Sequence, residues 1–304
     1  MSGMLARRGQ FVMAPLHRRD VEAAHQLCLR DEVAHVVPLM HVETARAGGA
    51  VPHGLWGVHR RLSRDRELVA LIWAGANLNP VLPEGGDEGE ADALRAEVAQ
   101  ALVARVARPA AMAGPAQVTL DLWGRVEPWW GPARELRPRQ VSMVCDGEPT
   151  QVRPATVDVE PLRRATEEDY AQVLAAAVHM FRGEVGYDPL RYGRAAYEQR
   201  LHHLIRTGRT LVQMGMVQGR REVVFKADVG VVGGRVAQVQ GVWVNPALRG
   251  RGLAAPGMAQ AVRMIRANIA PRVSLYVNDF NEPALRAYRS VGFCESGMFA
   301  TVMF

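Results

Sequence analysis

Lysine is nearly missing from this chain. Of its 37 basic residues one is lysine, Lys226, and the rest are arginine. They are spread along the whole length. The net charge of +6 therefore leaves no clustered basic face, and clustering is what a nucleic-acid footprint requires. A GC-rich coding sequence accounts for the arginine bias better than a binding surface does. Cysteine is scarce as well: Cys28, Cys145 and Cys294 are scattered and odd in number, with neither metal-ligand spacing nor a disulfide framework. No run of 18 uncharged apolar residues occurs, so no membrane-spanning helix is expected. The first twenty residues hold basic groups but no apolar core, and do not read as a signal peptide. Two phosphate-binding signatures are missing too, the Gly-Lys-Ser/Thr of a Walker loop and the GxGxxG of a dinucleotide fold. These absences point to a cytoplasmic protein with no membrane attachment and no metal.

What is present is ordinary globular material. The 304 residues are 48% hydrophobic and 22% charged, enough for two domains with real cores. In the first half, FVMAPL reads as a strand, followed by a helix with Val21, Ala24, Leu27 and Cys28 at helical spacing. GLWGVHR and ELVALIWAGANL read as paired strands. An acidic, glycine-rich loop (VLPEGGDEGEAD) precedes a helix bearing Leu94, Val98, Leu102 and Val106. VTLDLW and RQVSMV read as further strands around an irregular EPWWGPAREL. The polar DGEPTQVRPAT, with two prolines, marks a boundary near residue 150, giving domains 1–150 and 151–304.

The second half opens with a strand, VDVEPLRR, and a capping box, Thr166 with Asp169. Two helices follow, one carrying Val173, Leu174, Ala177, Val178 and Phe181, the other covering about Leu190 to Thr207. Three strands (TLVQMGMV, EVVFKADVGVV, VAQVQGVWV) are joined by tight turns and read as an antiparallel meander. Then come a helix over about Leu253 to Asn268, a strand SLYVNDF, a helix over about Asn281 to Ser290, and a final strand pair ending at Phe304.

The strand-to-helix junction NPALRGRGLAAPG, residues 245–257, is positive and flexible. Gly250 and Gly252 permit positive φ, Arg249 and Arg251 add charge, and the helix N-terminus presents N–H groups without intrahelical partners. Together these form an anion cradle suited to a pyrophosphate. Pro256 falls in the first helical turn, where its missing N–H is harmless. Downstream, Asn281 is a natural N-cap, and Tyr288 lies two turns later on the same helical face.

Taken with LYVNDFNEPALRAYRSVGF, this junction resembles the GNAT superfamily of acyl-CoA N-acyltransferases. Arg249, Gly252 and Ala254 match that family's Arg/Gln-x-x-Gly-x-Gly/Ala loop. The resemblance covers about residues 155–304, and the extra N-terminal half is similar to two-domain GNAT-like proteins of actinobacteria. It implies an α/β (α+β) fold in two GNAT-like domains, each a mixed, mostly antiparallel sheet flanked by helices, the first of them divergent. It implies acetyl-CoA as co-substrate, with the pantetheine arm against Val242 and Val244 and the pyrophosphate on Gly250, Arg251, Gly252, Leu253, Ala254 and Ala255 beside Arg249. Asn281 would touch the cofactor, and Tyr288 would stand near the sulfur and protonate the leaving thiolate. The acceptor would be a primary amine on a small molecule or a protein. The general base departs from the family pattern. The strand before the loop offers Gln238 and Gln240, and the position five residues before Asn281 is Tyr276. Glu184 in FRGEVGYDP is the candidate carboxylate, with water, or an amine that arrives already deprotonated, as the alternatives.

Other residues read more plainly. His202 and His203 are adjacent rather than four apart, which suits structural or surface roles; Lys226 reads as a solvated strand lysine, with a substrate or partner role as the alternative; Trp123, Trp129 and Trp130 read as packing of the first domain or of an interdomain surface. In that domain Glu84, Asp87, Glu88, Glu90 and Asp92 stand where the second has its arginines, so it is not expected to bind CoA. Because no base stands on the strand, a non-catalytic acyl-CoA-binding or interaction protein is the rival reading. A ribosome- or RNA-associated modifier is motivated by charge alone.

Overall fold

The computed structural model describes residues 9–61, 66–83, 85, 87–191 and 193–304; Glu84 of the acidic loop lies outside them. The chain divides into two compact units. One runs to Ser142 and also includes Ser296–Phe304; the other is Met143–Glu295. The partition thus differs from a single cut near residue 150, because the last nine residues fall in the first unit. No described helix is long and apolar enough to cross a membrane.

The first unit contains β1 (Phe11–Pro15), α1 (Val21–Leu29), α2 (Val36–Arg46), β2 (Leu55–Arg60), β3 (Leu68–Ala74), β4 (Asn77–Val81), α3 (Glu88–Arg105), β5 (Ala111–Pro115), α4 (Ala116–Trp130) and most of β6 (Glu135–Cys145). Strands β1 to β4 pair antiparallel in chain order, and β4 pairs parallel with β5. Alternate residues of the strands point to opposite faces. Leu55, Leu71 and Val81 pack under α1 and α2 with Val21, Ala24, Leu39 and Val42. Phe11, Val58, Ile72, Leu78 and Met112 pack under α3 and α4 with Leu94, Val98, Leu102, Leu122 and Trp123. Each fully buried aliphatic or aromatic side chain contributes roughly 1.5–3 kcal/mol, and two such layers make a self-sufficient core.

The second unit repeats the order: β7 (Arg163–Arg164), α5 (Tyr170–Val185), α6 (Arg194–Arg206), β8 (Thr210–Val217), β9 (Arg220–Gly233), β10 (Val236–Val244), α7 (Ala254–Asn268), β11 (Arg272–Asn278) and α8 (Glu282–Val291). Strands β7 to β10 are antiparallel neighbours, and β11 is parallel to β10. Val212, Met214, Val223 and Trp243 pack against Val173, Ala176, Ala177, Leu201 and Ile205 of α5 and α6. On the other face Gly257 of α7 lies directly on the Phe225 ring. The capping box forms: the Thr166 N–H donates to Asp169 Oδ2 at 2.8 Å.

Four local readings are corrected. VTLDLW belongs to helix α4, not a strand. Its Val-Thr-Leu-Asp-Leu alternation mimics period two, but Val118, Leu122, Val126 and Trp130 recur every four residues and all are buried. The helix tolerates Pro128 and also takes in the EPWW stretch. The end of the chain is one strand, β12 (Cys294–Met303), which pairs antiparallel with β5 from Phe299↔Pro115 to Met303↔Ala111. VDVEPLRR is mostly irregular, with one bridge, Val159↔Gly215, before β7. Trp123 and Trp130 are buried as expected, whereas Trp129 is 73% exposed.

Candidate functional site

The junction after β10 is a built turn. Asn245, itself buried, donates through Nδ2 to the Val223 carbonyl at 3.3 Å and accepts at Oδ1 from the Ala247 N–H at 3.1 Å. Residues 246–248 form a single tight turn. Gly250 and Gly252 then take φ of +75° and +76°, values at which a Cβ is strained although no atom crowds either position. The Arg251 carbonyl accepts from both the N–H (3.2 Å) and the Oγ1 (3.1 Å) of Thr156, so the stretch read as a linker buttresses the loop. Helix α7 starts at Ala254, and residues 252–255 direct the N–H groups of its opening turn out of the helix, where intrahelical acceptors do not exist. Arg249 and Arg251 are both exposed, and Arg249 Nε donates to the Val244 carbonyl at 3.3 Å.

Next to this loop the sheet parts. The register of β10 with β11 covers only Val236↔Arg272, Ala237↔Val273 and Gln238↔Ser274. β10 continues to Val244 and β11 to Asn278, so their later residues diverge into a gap that opens onto the glycine turn. Against β9 the register of β10 breaks between Gln240 and Trp243, and Gly241 within that break has φ +61°. The half-buried Val242 lies in this bulge, and the half-buried Val244 pairs with Phe225 just beyond it.

Asn281 caps α8, accepting from the Ala284 N–H at 3.3 Å, and is exposed. Tyr288, two turns on, is 7% exposed and packs near Phe293. Burial pushes its phenol well above the ordinary tyrosine value, and the Glu184 carboxylate adds to the shift. Glu184 sits in the last turn of α5, not in a loop, and is exposed. Its charge also acts on Tyr197 of α6, whose phenol burial, Asp228 and Glu184 raise to about 12. Glu184, Tyr197 and Tyr288 therefore share one electrostatic neighbourhood. Gln240 accepts from Arg200 at 3.1 Å and donates to Gln238 at 3.1 Å, so neither glutamine can serve as a proton acceptor.

Lys226 requires correction. The solvated strand lysine is fully buried and ion-paired with Asp228 two residues along β9. A lysine is taken out of water only when a partner offsets its desolvation, and residues i and i+2 of a strand share a face. That spacing, K-x-D inside an apolar run, was the signal available in the sequence. His202 stacks on Tyr170 at 3.9 Å and contacts Glu167, a structural role. A depression of about 670 Å³ lies along α5, lined by Leu174, Val178, His179, Arg182 and Leu190, apart from the β10/β11 gap. Among the described residues no cluster of three His, Cys, Asp or Glu could hold a metal ion. In the first unit, the α3 N-terminus is capped by its own Asp87, which accepts from the Glu90 N–H at 2.8 Å, with Glu88 and Glu90 in the first turn.

Residues 172–293 match the acetyltransferase (GNAT) family, and residues 54–173 match a family described as a domain of unknown function (DUF4081). None of the curated proteins matches the sequence. Three solved structures are similar over nearly the whole chain. A GCN5-related N-acetyltransferase from Sphaerobacter thermophilus is 16% identical, with 97% of this chain and 96% of that one covered and a TM-score of 0.58. An acetyltransferase of the GNAT family from Colwellia psychrerythraea is 12% identical, covering 96% and 99%, with a TM-score of 0.54. A tandem GNAT protein from the clavulanic acid biosynthesis pathway is 13% identical, covering 96% and 98%, with a TM-score of 0.50. At these identities the likeness concerns the fold. By its family match and its order of elements, the second unit is a domain of the acetyltransferase (GNAT) family, and the first unit carries a divergent form of the same fold.

Proposed function

We propose that this protein is an acetyl-CoA-dependent N-acetyltransferase whose second unit transfers the acetyl group to a primary amine by direct attack in a ternary complex. The observation that carries the reading is the parting of β10 from β11 directly onto a left-handed glycine turn at the N-terminus of α7. An extended thioester arm fits between two strands whose mutual register ends at Gln238↔Ser274. A pyrophosphate fits outward N–H groups, the helix dipole and two exposed arginines. In this reading Val242 and Val244 meet the arm, residues 250–255 hold the pyrophosphate beside Arg249, and Asn281 lies along the cofactor. Tyr288 is the proton donor to the departing thiolate: its buried phenol, raised well above the ordinary tyrosine value, keeps a proton available at neutral pH. Binding both substrates together converts aminolysis into an effectively unimolecular step.

The first unit does not share this role, because carboxylates at the α3 N-terminus repel a pyrophosphate. Calorimetry should therefore give one CoA per chain; two would overturn this part. Activity is tested by thiol release from acetyl-CoA across a panel of small amines, amino sugars and peptides with free lysine or N-terminal amines. Turnover with at least one class is expected. CoA binding without turnover for any acceptor would favour the acyl-CoA-binding reading, which the glutamines at 238 and 240 motivate.

A further inference from the structure

The reaction proposed above lacks a proton acceptor on β10, and the structure offers a carboxylate one strand away. Asp228 of β9 stands opposite Gln240 in the β9/β10 register. Its side chain reaches over Gly241 at the β10 bulge. A Cβ at residue 241 would lie 3.1 Å from Asp228 Oδ2, 3.2 Å from Met180 Cε and 3.5 Å from Lys226 Nζ. Gly241, lacking a side chain, thus lets this carboxylate lie directly against the backbone of β10. Asp228 Oδ2 is held by Lys226, the only lysine of the chain. Asp228 Oδ1 is buried and has no hydrogen-bond partner among the described residues, while 11% of the side chain stays accessible. Within a sheet core, an acceptor left open on a carboxylate otherwise fixed by a buried cation is a place for an incoming donor.

The surroundings suit that donor. Lys226 holds Asp228 from its own strand, the charges of Asp228 and Glu184 both act on the Tyr197 phenol of α6, and Arg200 of α6 donates to Gln240, the cross-strand partner of Asp228; His179 of α5 bonds to Trp243, the cross-strand partner of Lys226. The Glu184 charge acts on Tyr288 as well. We infer that Asp228, positioned by Lys226 and admitted by Gly241, receives the acceptor amine in the proposed reaction. It accepts a hydrogen bond from the attacking nitrogen and takes its proton as the new C–N bond forms. As the C–S bond breaks, the thiolate takes a proton from Tyr288. Asp228 then releases its proton to solvent, and Tyr288 regains one from solvent. The products are the amide and the free thiol. Lys226 is a positioning residue and does not touch the amine. Glu184, exposed at the helix end, then acts on the site only through its charge.

The assignment rests on the acetyltransferase reading, and the test separates the two. Asp228→Asn is compared with the wild type in thiol release with a competent amine, in CoA affinity by calorimetry, and in thermal unfolding. The expected result is a loss of kcat on the order of a hundredfold, with the KM for acetyl-CoA and the CoA affinity within about threefold of wild type, since Asp228 does not touch the cofactor. If the Asn variant does not fold, Asp228→Glu carries the test: it keeps the carboxylate but displaces it by one methylene, and kcat should fall by at least tenfold. A kcat within threefold of wild type in a folded variant overturns the assignment while leaving the acetyltransferase intact. No turnover by the wild type with any amine overturns both.

Discussion

Two glycines five residues apart should fail in opposite ways. Gly252 has φ +76° and open space where a Cβ would go; Gly257 has ordinary helical backbone, but a Cβ there would sit 2.8 Å from the Phe225 ring. In Gly252→Ala the penalty is conformational, about 1–2 kcal/mol for a left-handed Ala, partly offset by the lower entropy of the unfolded chain. An exposed loop relieves such strain by swinging out of the left-handed conformation. Global stability then changes little, while the N–H groups lose their aim. About 1.4 kcal/mol of lost interaction is tenfold in affinity, so CoA binding should weaken by roughly tenfold, with the unfolding midpoint within a few degrees of wild type. Gly257→Ala meets a fully buried ring that cannot retreat. Overpacking of this kind costs about 1–3 kcal/mol, or very roughly 2–4 °C per kcal/mol for a unit of this size, with CoA affinity of the folded protein within about threefold. Isothermal titration with CoA and a thermal melt on both variants complete the assay. Undiminished CoA affinity in Gly252→Ala would refute the idea that the left-handed turn exists to present N–H groups to an anion. A destabilised Gly252→Ala beside an unaffected Gly257→Ala would refute the packing argument as well.

Tyr288→Phe should lower kcat for thiol release on the order of a hundredfold, with CoA affinity by calorimetry unchanged; an equal loss in both would mark the hydroxyl as a binding group. Arg251→Ala should weaken CoA roughly fivefold in low salt, as an exposed charge contributes up to about 1 kcal/mol, and the difference should shrink in 0.5 M salt; a salt-independent effect would point to loop structure instead. Asp169→Asn tests the capping box: Arg163, with help from Thr166, holds the Asp169 carboxyl down to about 2. Because the folded value lies below the ordinary one near 3.9, the stabilisation is complete above about pH 4 and lost as pH falls through 2. Its size is about 2 kcal/mol at most, discounted because Arg163 is 37% exposed. Denaturant melts at pH 7 and across pH 4 to 2 should show the variant less stable at neutrality and flatter in acid; identical acid profiles would sink the argument.

What the sequence determined by itself was local. The cradle NPALRGRGLAAPG and the cap-to-tyrosine helix lie within 45 residues, and their chemistry follows from residue type and helical spacing. Glycines that take positive φ, arginines at a helix N-terminus, an Asn N-cap and a Tyr two turns on need no knowledge of distant contacts. The meander β8–β10 was legible for the same reason, its strands alternating between short turns.

Tertiary structure decided what depends on partners far along the chain. Helix α4 hid behind a six-residue alternation that only a longer window, and burial under the sheet, resolves. The last strand reads as part of its own half, yet it pairs with β5 nearly two hundred residues away. Lys226 looks like a solvated charge until strand pairing puts it, with Asp228, on a buried face opposite Trp243 and Gln240. Hydrogen bonding between strands sets which side chains meet, and no residue type encodes that register. The glycine turn is written in consecutive residues; the buried Lys226–Asp228 pair becomes visible only once the sheet is assembled.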